Sequence, residues 1–174
     1  MNRDAAIALM LRLEGGEANL KGDPGGHTKY GITQATLNGL SADWANPLPA
    51  NVGDLTLDQA AFIYRQVQWS AIVGDSLPAA LACLMLNAAV NMGTGTAIRI
   101  LQECLNLKPD GILGPFTLRC IGSWRPRYQS DQTLAQEFAA CCAVRYASLE
   151  GKEPQFMLGW FRRLFLVYTL AVQS

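Results

Sequence analysis

The chain has 174 residues, of which half are apolar and 16% are charged, and its 14 basic side chains equal its 14 acidic ones. This length suits one domain with a sizeable core, and the charge balance gives no overall field that would attract nucleic acid or an anionic membrane. The longest apolar stretch, residues 77–90, contains a proline and an asparagine and is shorter than the roughly 20 residues that a membrane-spanning helix needs.

The cysteine and histidine content argues against a metal centre or a disulfide framework. The five cysteines show no CxxC spacing, and His27 is the single histidine, so no metal ligand set is visible. We expect buried, reduced thiols and no cofactor. Because no ordinary signal peptide is recognisable at the N-terminus, we also expect a soluble protein made in the cytoplasm.

The first predicted helix begins after Asn2, a plausible N-cap, and carries apolar residues at helical spacing. Gly15 and Gly16 predict its end, because glycine readily adopts the left-handed conformation that terminates helices. Glu14 therefore falls in the last turn. The following residues, 17–33, are rich in glycine and read as a loop with a small hairpin or irregular β-segment.

The remainder of the chain is predicted to be helical. A helix resumes near Thr33, and the capping-box pattern from Thr56 to Gln59 predicts another that extends to about Trp69. Ser76 is expected to cap the most apolar helix, 77–92, around which the others pack. Further helices are predicted at 96–107, 115–121, 132–149 and 155–172. The sum is a mostly helical α+β fold with one small β-element near its start.

Glu14 has an electrostatic environment that suits a general acid. The unsatisfied carbonyls at a helix C-terminus disfavour a nearby negative charge, and apolar neighbours such as Met10 and Leu13 penalise the charged form by desolvation. Both effects favour the protonated carboxyl that must donate a proton to a glycosidic oxygen. The alternative is an exposed glutamate that happens to precede the end of a helix.

Asp23 is the candidate for a second carboxylate. It follows Glu14 by nine residues, in a glycine- and proline-rich loop whose polar surroundings would keep it ionised. Thr28 and Tyr30 follow in the same region and can position water or sugar hydroxyls. Asp23 also suits a tight turn on its own account, and Glu17 is a competing second carboxylate. His27 is expected at the surface or at the edge of a substrate.

The segment that begins with Glu14-Gly15-Gly16 and continues through residues 23–33 resembles the N-terminal signature of glycoside hydrolase family 108, a family of N-acetylmuramidases that includes proteins once called secretion activators. In that family a glutamate before two glycines is the catalytic acid, which implies this role for Glu14. The order Glu14, Asp23, Thr28 also resembles phage-type lysozymes. By that looser analogy, Asp23 and Thr28 would orient or activate the attacking water.

The resemblance extends along the chain. Residues 87–93 are similar to a family segment that commonly starts with an acidic residue, and Asn87 departs from that pattern, which argues against a direct acid–base role there. Residues 101–102 and 110–117 resemble the family's C-terminal peptidoglycan-binding region, although 110–117 also suits a tight turn between helices. Residues 159–163 resemble its usual end. There we expect Trp160 to pack and Arg162 and Arg163 to form a solvated charge pair, and the alternative is that they contact the glycan or the peptide stem.

Asn87 and Asn91 lie four residues apart and therefore share one helix face. The resemblance makes them candidates for substrate binding, together with Tyr30, whereas the ordinary role of buried amides is to hydrogen-bond neighbouring backbone.

Taken together, the resemblance implies a single lysozyme-like domain, with a catalytic subregion at 1–93 and a helical, peptidoglycan-binding-like subregion at 94–174. The implied reaction is hydrolysis of the β-1,4 bond between N-acetylmuramic acid and N-acetylglucosamine in cell-wall peptidoglycan. The expected protein is a monomer without membrane insertion or nucleic-acid partner, released by a holin as a phage endolysin or serving a secretion system. The alternatives are a lytic transglycosylase and a non-catalytic peptidoglycan-binding module.

Overall fold

The computed structural model describes residues 1–18, 27–40, 47–124, 133–149 and 154–173. Eight α-helices and three short strands are present in these ranges. In chain order they are α1 (Arg3–Glu14), β1 (Glu17–Ala18), β2 (Thr28–Lys29), β3 (Ile32–Thr33), α2 (Gln34–Asn38), α3 (Leu57–Ile63), α4 (Ala79–Met92), α5 (Thr94–Cys104), α6 (Pro115–Gly122), α7 (Leu134–Ala147) and α8 (Pro154–Val172). The mostly helical α+β architecture with an early β-element is confirmed.

Helix α1 begins and ends where its sequence predicts. The Asn2 side chain accepts a hydrogen bond from the Ala5 amide at 2.9 Å, which satisfies one of the free donors of the first turn. At the other end Gly15 has a φ of +79°, and its amide donates to the carbonyl of Leu11. The helix therefore delivers Glu14 at its C-terminus, next to the small sheet.

The sheet is three-stranded and antiparallel, in the order β1-β2-β3. Strands β2 and β3 pair Lys29 with Ile32, so Tyr30 and Gly31 form a two-residue hairpin turn. Both turn residues have positive φ, 53° and 73°, as the primed turns that join tightly connected strands require.

Helices α3 and α4 show one prediction confirmed and one corrected. Thr56 and Gln59 form the predicted capping box, and α3 continues as a π-helical segment, Tyr64–Trp69. The apolar helix α4 begins at Ala79, two residues later than predicted, and Ser76 is not its cap but part of a 3₁₀ turn. Leu77 precedes a proline and is extended, a conformation that proline imposes on the residue before it.

Helix α4 is the centre of the core, as predicted. Nine of its residues are buried, and it packs against α1, α5, α7 and α8. Within the part of the chain that the structure describes, no helix combines the length and the apolar character needed to cross a membrane.

The expectation of five reduced thiols is wrong for one pair, because Cys104 in α5 and Cys141 in α7 form a disulfide. These residues are 37 positions apart, and the packing of α5 on α7 brings their Cα atoms to 6.7 Å. Cys83 and Cys142 are buried free thiols, and burial raises their pKa values to about 11 and about 12.

Candidate active site

Glu14 forms an ion pair at the end of α1. Its Oε1 lies 2.6 Å from Nη1 of Arg163, and its side chain remains 21% exposed to solvent. This cationic neighbour comes from the far end of the chain and was not expected from the sequence around Glu14. The carboxyl group is thus held in one place and is still accessible from outside.

Arg163 connects three helices at this point. It lies on α8, its Nε donates to Oδ1 of Asn87 on α4 at 2.7 Å, and its Nη1 reaches Glu14 on α1. The Arg163 side chain is only 16% exposed. The expectation of a solvated pair with Arg162 is therefore wrong for Arg163, whose charge is directed inward at the carboxylate.

Asn87 lies behind this ion pair. It is 1% exposed, and its amide oxygen accepts the Arg163 hydrogen bond. A buried amide needs such a partner, and here the partner is itself bonded to Glu14. The structure therefore gives Asn87 a role in holding Arg163.

The hairpin turn passes beside Glu14. A Cβ atom built on Gly31 would lie 2.8 Å from both Cγ and Oε2 of Glu14, which is too close for any side chain. Tyr30 precedes it at a φ of +53°, a conformation that is uncommon for a residue with a side chain. Glycine at position 31 lets the backbone approach the carboxyl group closely.

Tyr64 supports this turn from the core. Its hydroxyl donates to the carbonyl of Tyr30 at 3.1 Å, and the side chain is almost completely buried. Burial, and then the negative charge of Glu14, raise the pKa of Tyr64 far above the ordinary value for tyrosine. The phenol therefore stays neutral and keeps its proton for the Tyr30 carbonyl.

The base of the hairpin holds the other loop candidates. Nε2 of His27 lies 2.6 Å from Oε1 of Glu17 in β1, so this carboxylate is engaged by the histidine. Thr28 lies in β2 and is half-buried, close in sequence to the turn beside Glu14. Asp23 lies outside the described residues.

Asn91 lies one turn beyond Asn87 on α4 but contacts different residues. Its Nδ2 donates to the hydroxyl of Tyr146 on α7 at 2.7 Å, and Trp160 stacks on the Tyr146 ring at a centroid distance of 5.4 Å. Trp160 packs, as expected. The structure thus brings Glu14, Asn87 and the Tyr30 turn together around the Glu14–Arg163 ion pair. Asn91 has no described bond to this group.

A groove of about 520 Å³ runs between α1 and α3 and does not include Glu14 in its lining. Its walls are mainly apolar, from Ile7, Leu11 and Ala61, and Tyr30 is its link to the carboxyl group. Asp4, Arg12, Asp58 and Arg65 also line it, and Asp4 and Arg65 form an exposed ion pair. Because Glu14 is the acid that Arg163 holds at the end of α1, we define the candidate site by the neighbours of Glu14 and not by this groove.

Three features of the site were not predicted from the sequence. Arg163 lies 149 positions from Glu14 along the chain, and its family-like segment gave no indication of its partner. Tyr64 occurs within an ordinary helical pattern, which carries no signal for a bond to a distant turn. Gly31 belongs to the glycine-rich segment 17–33, but its closeness to Glu14 depends on how the hairpin folds against α1.

Two family models and a solved structure match this chain. The family model described as "Glycosyl hydrolase 108" matches residues 7–93, and the model described as "Predicted Peptidoglycan domain" matches residues 96–165. The solved "Structure of Brucella abortus SagA" is 30% identical to this chain, with a TM-score of 0.76, and the match covers 97% of this chain and 92% of that one. Among curated proteins, none matches.

Proposed function

The chain belongs to the glycosyl hydrolase 108 family, and from this membership we propose that it is an N-acetylmuramidase that hydrolyses the β-1,4 bond between N-acetylmuramic acid and N-acetylglucosamine. The coarser description, a glycosidase that acts on peptidoglycan, follows from the two family matches. The position of Glu14 carries the finer proposal, because its carboxyl group is both fixed by Arg163 and open to solvent.

In the proposed reaction Glu14 protonates the oxygen of the leaving sugar as positive charge develops on the other sugar ring. Arg163 orients the carboxyl, and the close backbone at Gly31 limits its movement on the other side.

A second group must activate water or stabilise the developing charge. We propose Asp23 for this role, with Thr28 helping to orient the water. Glu17 is the less favoured candidate because its Oε1 is already 2.6 Å from His27. Tyr30, half-buried at the hairpin turn, is proposed to contact sugar, whereas Asn87 is proposed to act through Arg163.

The proposed setting is the bacterial cell wall. A muramidase of this kind can serve as a phage or prophage endolysin, released by a holin, or as a lytic enzyme that opens the wall for a secretion system. We further propose that residues 1–93 supply the catalytic part and residues 94–174 contact the peptidoglycan, in line with the ranges of the two family models.

The test is digestion of purified peptidoglycan, with mass spectrometry of the new sugar ends. Reducing N-acetylmuramic acid ends are expected. Anhydro ends would instead assign the protein as a lytic transglycosylase, which needs one acid and no water, and intact glycan would leave a binding module.

The residue assignment is tested by Glu14→Gln, which keeps the shape of the side chain and removes the transferable proton. We expect a loss of activity of about 10²- to 10⁴-fold with little change in the thermal midpoint. Glu103→Gln, on the exposed face of α5, is the matched control and should be fully active. Full activity of Glu14→Gln would overturn the assignment. In parallel, Asp23→Asn should lose much more activity than Glu17→Gln; the reverse order would make Glu17 the second carboxylate.

A further inference from the structure

A small cavity lies where α4 ends, α5 begins and α7 and α8 pass. Its volume is about 170 Å³, the space of about five or six water molecules, which is enough for one small chemical group. Among the residues that the structure describes, neither an aspartate nor a glutamate lines it. The lining residues are Asn91, Met92, Thr96, Arg145, Tyr146, Leu149 and Trp160.

The back wall of this cavity is rigid and polar. Tyr146 is 1% exposed, and its hydroxyl oxygen accepts the Asn91 hydrogen bond at 2.7 Å. Burial is the main cause of a raised pKa of Tyr146, so the phenol remains protonated. Trp160, stacked on the Tyr146 ring, completes a wall whose side chains are held by one another.

The rim of the cavity carries the positive charge of Arg145. Arg145 is exposed, and among the described residues it has no ion-pair partner, although other surface arginines such as Arg3 and Arg65 are paired with aspartate. The half-buried hydroxyl of Thr96 adds a hydrogen-bond donor, and Met92 and Leu149 add apolar surface. A cation and neutral donors beside apolar side chains suit a carboxylate carried on a short carbon chain.

The cavity is close to the proposed acid. Asn91 follows Asn87 by four residues on α4, and Trp160 precedes Arg163 by three residues on α8, so the Cβ atoms in each pair are about 5 to 6 Å apart. The cavity is therefore within reach of a polymer whose glycosidic bond is held at Glu14.

We propose that this cavity binds a carboxylate of the peptide stem that branches from the glycan of peptidoglycan, with Arg145 as its ion-pair partner. The proposal rests on the proposed function, because it names a second part of the same substrate. It makes the glycan chain and the peptide stem separate contributors to recognition, the first at the hairpin and the second between α4, α7 and α8.

Arg145→Gln tests the cavity with two substrates, intact peptidoglycan and glycan strands from which an amidase has removed the peptide stems. We expect KM for the intact polymer to rise about five- to tenfold with kcat unchanged, and neither parameter to change on the stripped glycan. Arg145→Lys should recover most of the affinity because it restores the charge. Arg119→Gln, an exposed cation on α6, is the matched control and should behave as the unaltered protein on both substrates.

A binding measurement separates this proposal from the proposed function. The unaltered protein is titrated with the free tetrapeptide stem and with the same peptide carrying amidated carboxyl groups, and amide shifts are followed by NMR. Binding of the acidic peptide alone, lost in Arg145→Gln, supports the cavity even if no glycan is cleaved. An active enzyme that does not bind the acidic peptide, or an Arg145→Gln effect that is equal on both substrates, would overturn it.

Discussion

Two buried side-chain amides, Asn87 in α4 and Gln102 in α5, have similar surroundings but hold different parts of the molecule in place. Both are almost completely buried on otherwise apolar helix faces. Gln102 donates to Oδ1 of Asp110 at 2.6 Å and to the carbonyl of Ile112, and it accepts from the amide of Gly111 at 2.8 Å. Its partners thus fix one turn, which explains the family-like pattern at 110–117 as a structural feature.

Asn87 belongs to a network of another kind. Its described hydrogen bond comes from Arg163, and Arg163 in turn forms the ion pair with the partly exposed Glu14. Burial of a polar side chain is therefore no guide to function by itself. The informative feature is what the network holds in place: the turn at residues 110–112 in one region, and the candidate acid Glu14 in the other.

Among the variants that distinguish the two amide networks, Arg163→Gln is expected to lose the most activity. Removing the guanidinium leaves the Glu14 carboxyl without the group that orients it, and we expect kcat on peptidoglycan to fall about 10- to 100-fold, as misplacement of a catalytic group does. Arg162→Gln, one position away and exposed, should retain activity within about twofold. Equal activities in the two variants would contradict the role assigned to the Glu14–Arg163–Asn87 network.

Gly31→Ala tests the backbone side of the same site. Gly31 and Gly93 both have positive φ, so alanine is strained at either position and should cost about 1 to 2 kcal/mol of stability. Only at position 31 does the new methyl group meet Glu14, whereas nothing lies within 4 Å at position 93. We therefore expect both variants to lower the thermal midpoint and Gly31→Ala alone to lower kcat, by about tenfold.

Gln102→Ala should show the opposite pattern. It leaves the Gly111 amide and the Ile112 carbonyl without their partner, which we expect to cost about 1 to 3 kcal/mol in urea denaturation. The kcat of the folded protein on soluble glycan should be unchanged, because this network ends in a turn. Gln136→Ala, an exposed glutamine on α7, should change stability by less than about 0.5 kcal/mol. A fall in kcat for Gln102→Ala would remove the distinction between the two amides.

Tyr64→Phe should have the smallest effect near neutral pH. Loss of the hydrogen bond to the Tyr30 carbonyl is expected to cost about 0.5 to 1.5 kcal/mol. The raised pKa of Tyr64 adds a pH dependence: above pH 10 the unfolded tyrosine loses its proton while the folded one keeps it, so stability falls as pH rises.

The buried thiols Cys83 and Cys142 also have raised pKa values, so they too lower the stability as pH rises above about 9. This loss of stability is the same in the unaltered chain and in Tyr64→Phe. Denaturation midpoints from pH 8 to 11 should therefore decline less steeply for Tyr64→Phe than for the unaltered chain. Parallel curves would show that Tyr64 titrates normally.

Local patterns predicted much of this molecule correctly. The Asn2 cap, the glycine stop after Glu14 and the Thr56–Gln59 capping box depend on residues a few positions apart, and all three are confirmed. The family resemblance and the mostly helical α+β fold are confirmed as well. The roles of Glu14, Asp23 and Thr28 stay predictions.

Long-range pairings escaped prediction because chain spacing carries no information about them. The pairing of Arg163 with Glu14 and the Cys104–Cys141 disulfide both depend on which helices pack together. The start of α4 is an exception to this division, since a local effect delays the helix: Pro78 imposes an extended conformation on Leu77, so Ser76 does not act as the cap.

The order of residues alone was sufficient to put an acid at the end of a buried helix, because caps, glycine stops and apolar spacing act within a few residues. Packing of α8 and the hairpin against α1 then set the surroundings of that acid. A guanidinium from the far end of the chain now balances the helix-end carbonyls, and a glycine backbone lies where a side chain would collide. Charge and steric effects act through space, so these neighbours were fixed by the fold.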